Sequence, residues 1–96
     1  MAKAYWVSVY REIHDEDKLL AYAKLAVPAI EAGGGKFIAR GIAEYAYEDG
    51  IKQRTVLVEF ESMAKAVACH DSPAYKVALD ALEGGVTRDL RVVEGV

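Results

Sequence analysis

Gly33-Gly34-Gly35-Lys36-Phe37-Ile38-Ala39-Arg40-Gly41 ends a helical pattern with three glycines and starts an apolar strand that carries one arginine to its far end. The order is helix, glycines, strand. A phosphate-binding loop runs the other way, from strand through glycines into the helix whose amides face the phosphate, so this stretch is no phosphate cradle. It marks instead the return of the chain from a helix to a sheet. An arginine closing an apolar strand must reach water, a carboxylate or an anionic ligand, because an unpaired buried guanidinium is very costly.

Upstream, Ala4-Tyr5-Trp6-Val7-Ser8-Val9-Tyr10 is aromatic and β-branched, with both alternating faces largely apolar, which predicts a strand covered on both sides. His14-Asp15-Glu16-Asp17 then places acids at a helix start, where the dipole favours them, and Leu19, Tyr22, Ala23, Ala26 and Ile30 follow at helical spacing. Pro28 predicts a kink or break in that helix.

Downstream, the spacing predicts a bend at Gly41, a further extended piece around Glu44 to Tyr47 and a turn at Glu48-Asp49-Gly50. The clearest strand is Arg54 to Phe60. Ser62 caps a second helix carrying Met63, Ala66, Val67 and His70 on one face. Ser72-Pro73 opens a third helical piece with Tyr75, Leu79 and Leu82 together, Gly84-Gly85 stops it, and Asp89 to Val93 forms the last strand. This β-α-β-β-α-β order is that of the α+β, ferredoxin-like fold: a four-stranded antiparallel sheet with its helices on one face. The opposite face stays apolar and aromatic enough to expect a second copy there, giving a homodimeric barrel.

The chain has 96 residues, enough for one domain with a single core, and 53% of them are hydrophobic. Fifteen acids against twelve bases leave a net charge of -3 without a basic run, so no phosphate-backbone footprint is present. RNA-recognition domains share the element order, but the stacking positions on Gln53 to Phe60 fall on Thr55 and Leu57. No nucleic-acid partner is expected. With Cys69 as the one cysteine, there is neither an internal disulfide nor a paired-cysteine metal motif. The apolar run from Ala4 to Val7 is too short for a leader or a membrane span, so a cytoplasmic protein with no membrane partner is expected.

Gly34 to Gly41, Val58-Glu59-Phe60-Glu61-Ser62, Asp71-Ser72-Pro73-Ala74-Tyr75 and Val93-Glu94-Gly95 together resemble the small bacterial DUF1330 family, over nearly the whole chain. The resemblance implies a dimeric α/β-barrel domain, in a superfamily that holds small monooxygenases and isomerases beside members without known activity. Arg40, Ser72 and Tyr75 match the family pattern. Ala74, His70, Glu61 and Leu82 depart from it, the first where a glutamate is usual and the last near a usual arginine.

Among candidate residues, Arg40 suits a carboxylate or phosphate clamp, its alternative being an ion pair with Glu44, Glu59 or Glu94 or a salt bridge across a dimer interface. His70 is the candidate catalytic acid or base, its alternative a packed or capping histidine. Ser72, Tyr75, Trp6 and Tyr10 are candidate ligand-binding residues, with core or dimer packing as the competing role for the aromatics. Cys69 at a helix C-terminus reads as an inert buried thiol. Cys69, His70 and Asp71 diverge around a helix, so no metal is expected, and no cofactor. The function these features suit is binding, or cofactor-free isomerase- or monooxygenase-like chemistry, on a small organic acid. The alternative is a non-catalytic ligand-binding or protein-interaction module.

Overall fold

A computed structural model of the chain describes residues 2–96. Strand β1 (Ala4–Ile13) leads into helix α1 (Glu16–Ala32), then β2 (Lys36–Ile42) and β3 (Arg54–Phe60). Helices α2 (Met63–His70) and α3 (Pro73–Leu82) follow, and β4 (Val86–Glu94) closes the chain. The sheet order is β2-β3-β1-β4, with every neighbouring pair antiparallel. This is the expected split arrangement, in which the two central strands are the most apolar. Each helix start is capped by its own side chain: Asp15 accepts from Asp17 and Lys18, Ser62 from Lys65, and Ser72 from Tyr75.

Three local expectations are corrected. Helix α1 runs unbroken through Pro28, which is exposed like Lys24, the residue that would have accepted the missing bond, so the loss falls on the solvent side of the helix. Residues 43–53 form a connecting loop rather than an extended strand at Glu44 to Tyr47; that run lacks a partner strand, and the turn closes where Gly50 N–H donates to Tyr47 O at 2.9 Å. The irregularity in β2 falls at Ile38, between Phe37 and Ala39, rather than at Gly41, which pairs with Thr55. That bulge reverses the alternation of the strand. Lys36, opposite Glu59, lies on one face of the sheet, and Arg40, opposite Val56, lies on the other.

All three helices lie against the face carrying Ala4, Trp6, Ser8 and Tyr10 of β1 with Val56, Val58 and Phe60 of β3. The core joins these to Tyr22, Ala26, Ala29 and Ile30 of α1 and to Ala66, Cys69, Tyr75, Ala78 and Leu82 of α2 and α3. Trp6 anchors it. Its ring centroid lies 5.2 Å from Phe60 and 5.0 Å from Tyr75, and its indole N–H donates to Ala66 O at 3.1 Å. The opposite face presents Val7, Val9, Leu57 and Val93, with Lys3 and Tyr5 both donating to the Glu59 carboxylate at its edge. Those two contacts hold the Glu59 carboxyl below its ordinary range, the Lys3 bond first.

The second and third glycines of the three-glycine run serve different ends. Gly34 has φ 91°, a left-handed conformation that ends α1 cheaply only without a side chain. Gly35 is needed for space: a Cβ there would fall 2.5 Å from Ile30 and 2.8 Å from both Phe60 and Val58. Gly35→Ala is therefore expected to lower the unfolding free energy by about 1–3 kcal/mol in urea titration, and an unchanged midpoint would contradict this packing.

Candidate functional site

The helix-facing side of the sheet does not close fully onto α1. A cavity of about 30 Å³ remains, walled by Trp6, Val56, Val58, Ile30 and Phe37 and bordered by Tyr10, Tyr22, Tyr75, Arg40, Arg54 and Arg88. This exceeds the roughly 10–15 Å³ that one water requires. Of the arginines that border it, Arg40 is exposed, and Arg54 and Arg88 are half-buried. No Asp, Glu or His lines it.

Arg88 dominates the chemistry. It stands opposite Tyr10 in the β1–β4 ladder, just before the register shift beyond Tyr10, and so turns its side chain under the helices. Its Nη1 donates toward Ser8 Oγ at 3.4 Å, Tyr10 Oη at 3.2 Å and Tyr22 Oη at 3.2 Å, while Nη2 donates to Tyr75 Oη at 3.1 Å. The two phenols are themselves joined, Tyr22 Oη to Tyr75 Oη, at 2.6 Å. The Arg88 guanidinium also lies over the rings of Tyr10 and Tyr22, 5.5 and 5.0 Å from their centroids.

Every one of these partners is a neutral hydroxyl. Among the described residues no carboxylate lies within 4.0 Å of Arg88, Arg54 or Arg40; the ion pairs present use other side chains. The cluster is therefore rich in donors and poor in acceptors. Arg88 brings five N–H groups, and the hydroxyls of Ser8, Tyr10, Tyr22 and Tyr75 bring four protons, of which only one is taken up, in the Tyr22–Tyr75 bond. Arg54 adds a buried Nε that has no acceptor. Buried donors without acceptors are costly, and an anion entering the cavity would satisfy several at once.

Burial works against the Arg88 cation, and the oxygens of Tyr22, Tyr75 and Tyr10 more than offset it, so the group is held above its ordinary range and stays charged. Burial pushes the Tyr22 phenol up, with the Arg88 charge opposing only in part. A tyrosine whose folded value is raised contributes stability that is complete below its unfolded value, about pH 10, and lost as the pH rises through the folded value. Wild-type stability in urea is thus expected to fall above about pH 10, and less steeply for Tyr22→Phe; parallel curves would contradict the assignment.

Of the residues singled out in the sequence, Arg40, Trp6, Tyr10 and Tyr75 line this cavity. Arg40 carries its guanidinium 4.8 Å over the Phe37 ring and is exposed, with Glu59 committed to Lys3 and Tyr5. His70 lies outside the lining. Its ring sits 5.9 Å from Trp6 and 5.4 Å from Tyr75, and its Nδ1 is 3.2 Å from Asp71 Oδ1. Ser72 uses its hydroxyl within the backbone, donating to Cys69 O at 2.7 Å and accepting from Tyr75 N–H at 3.3 Å. Cys69 is buried, which raises its thiol above the ordinary range, and its Sγ faces the carbonyls of Ala29 and Ile30. Arg88, Ser8 and Arg54 were missed, and Tyr22 could be read only as an aromatic wall and not as a partner of Arg88. Ser8 carried a signal, being the one polar residue in the otherwise apolar run of Ala4 to Tyr10.

A four-stranded antiparallel sheet with helices on one face and an arginine-lined cavity between them places the protein among ferredoxin-like α+β domains. The family model described as "Domain of unknown function (DUF1330)" matches residues 3–96, and the chain belongs to that family. Among solved structures it is similar to the RPA0582 protein of unknown function from Rhodopseudomonas palustris, at 18% identity over 99% of this chain and 83% of that one, with a TM-score of 0.77. SnoaB, a cofactor-independent oxygenase from Streptomyces nogalater, is 10% identical over 97% of this chain and 92% of its own, with a TM-score of 0.67. A dimeric ferredoxin-like protein of unknown function from Thermobifida fusca is 18% identical over 97% of this chain and 89% of that one, with a TM-score of 0.63. No curated protein matches the sequence. Among the described residues no helix is long and apolar enough to cross a membrane.

Proposed function

We propose that the protein binds a small organic acid between its sheet and α1, the carboxylate meeting Arg88 and the hydroxyls around it. The observation that carries this reading is a charged guanidinium met only by hydroxyls, with no carboxylate in reach, beside the unpartnered buried Nε of Arg54. Trp6, Phe37, Val56 and Ile30 supply the apolar wall for the rest of the ligand, and Arg40 stands at the entrance. The test is a thermal-shift series with acetate, butyrate and benzoate at fixed ionic strength. A concentration-dependent rise in melting temperature is expected, and equal rises with matched chloride would overturn the reading.

A second reading is favoured by the 2.6 Å Tyr22–Tyr75 pair beside Arg88. The same donors that hold a carboxylate would stabilise an enolate, the species through which cofactor-free isomerases and monooxygenases work, and oxygenase activity is what the Streptomyces neighbour is described as having. With no Asp, Glu or His in the lining, such chemistry is confined to substrates acidic enough to lose a proton readily. In either reading the chain acts as a homodimer through the sheet face of Val7, Val9, Leu57 and Val93. The dimeric Thermobifida neighbour supports this, and Val93 is 53% exposed in the single chain. A light-scattering mass of one chain at micromolar concentration would sink the dimer.

A further inference from the structure

Arg88 is one of two cations flanking the same ring. Tyr10, at the middle of the sheet, has the Arg88 Cζ 5.5 Å from its centroid and the Arg54 Cζ 5.9 Å from it. Arg88 comes from β4 and Arg54 from β3, the strands on either side of β1. Both guanidinium groups border the cavity, so its polar end has two positive poles separated by an aromatic side chain.

Their surroundings differ. Arg88 is met by four hydroxyl oxygens, whereas the buried Nε of Arg54 has no hydrogen-bond partner at all. Arg54 also borders a surface depression beside the first turn of α1, with Glu16, Asp17, Leu19 and Leu20. Neither of those carboxylates lies within 4.0 Å of it. Two unneutralised arginines facing one small space repel each other, and a single monoanion at Arg88 would leave the second charge unanswered. Arg40, from β2, adds a third positive group on the Arg54 side, since its neighbour Ile42 pairs with Arg54.

We propose that the ligand is a short dianion, a dicarboxylic acid with one carboxylate on Arg88 and its tyrosines and the other on Arg54, its carbon chain passing along the Tyr10 ring. This rests on the anion-binding reading above and narrows it. Succinate and glutarate are short, unbranched diacids of this kind.

The experiment compares pairs of equal carbon number that differ by one carboxylate, butyrate with succinate and valerate with glutarate, by calorimetric titration at constant ionic strength. Wild type is expected to bind each dicarboxylate at least about tenfold more tightly than its monocarboxylate partner, the scale of one charge-assisted contact. Arg54→Met is expected to erase that preference while keeping monocarboxylate affinity, and Arg54→Lys to restore part of it. Equal affinity for both members of each pair in wild type would overturn the dianion while leaving the anion site intact. A preference that survives in Arg54→Met would also overturn it. Failure of every acid to bind wild type would remove both readings together.

Discussion

Arg88→Met is expected to abolish the rise in melting temperature that small carboxylates give the wild-type protein, while the ligand-free variant stays within about 1 kcal/mol of wild-type stability. The two halves of this result have different causes. A ligand at a hundred times its dissociation constant stabilises by about 2.7 kcal/mol, which for a domain of this size is roughly ten degrees or more. That gain needs the charged fork, which methionine lacks. Removal of the fork costs little in the empty protein, because Arg88 is half-buried, its partners are hydroxyls and no carboxylate is left behind as an unpaired charge, and a methionine of similar length fills the space. Tyr22 and Tyr75 keep their mutual bond. Thermal melts with and without succinate check both halves. A full ligand shift in Arg88→Met would remove the residue from the site, and collapse of the ligand-free fold would show that it is structural.

Trp6→Ala is expected to lower the unfolding free energy by about 3–5 kcal/mol, a large part of the 5–15 kcal/mol of an ordinary domain. Three terms add. The indole is 2% exposed and fills the space between β1, α2 and α3, so its removal leaves a cavity that the flanking Phe60 and Tyr75 cannot both collapse into. The edge-to-face contact with Tyr75 is lost, worth about 0.5–1.5 kcal/mol beyond burial. The bond from the indole to Ala66 O also goes, leaving a buried carbonyl with less to satisfy it. Urea denaturation followed by circular dichroism measures the change. Trp6→Phe keeps the ring packing and is expected to cost less than half as much; a loss below about 1 kcal/mol for the alanine variant would refute the anchoring role.

The fold was legible because its determinants are local in the chain. The three glycines, the capping residues Asp15, Ser62 and Ser72 and the apolar run of β3 each act within a few residues, and together they leave one element order. The site was legible only in part. Arg40, Trp6, Tyr10 and Tyr75 could be picked out as an awkward charge and as aromatics, and they line the cavity. Arg88 could not, because its importance is a matter of register. The last strand reads from Asp89 on hydrophobicity, yet it begins at Val86, and pairing with Tyr10 places Arg88 under the helices. Tyr22 and Tyr75 are 53 residues apart, and nothing in either helix alone shows that their hydroxyls meet. His70 drew attention through its type and its helix end, and both belong to a position on the outer side of Trp6 and Tyr75.

The bulge at Ile38 bears on how chains of slightly different length are to be aligned. Loss of one residue from a strand ordinarily exchanges its two faces, which would carry Arg40 away from the cavity. Here the surplus residue is already accommodated outside the ladder and is 47% exposed, so excising Ile38 would leave a regular strand with Lys36 and Arg40 still on opposite faces. A single-residue gap between the glycines and this arginine is thus no sign that a relative has lost the cavity entrance. Register counted backwards from β3, and not distance counted from the glycines, identifies the equivalent residue.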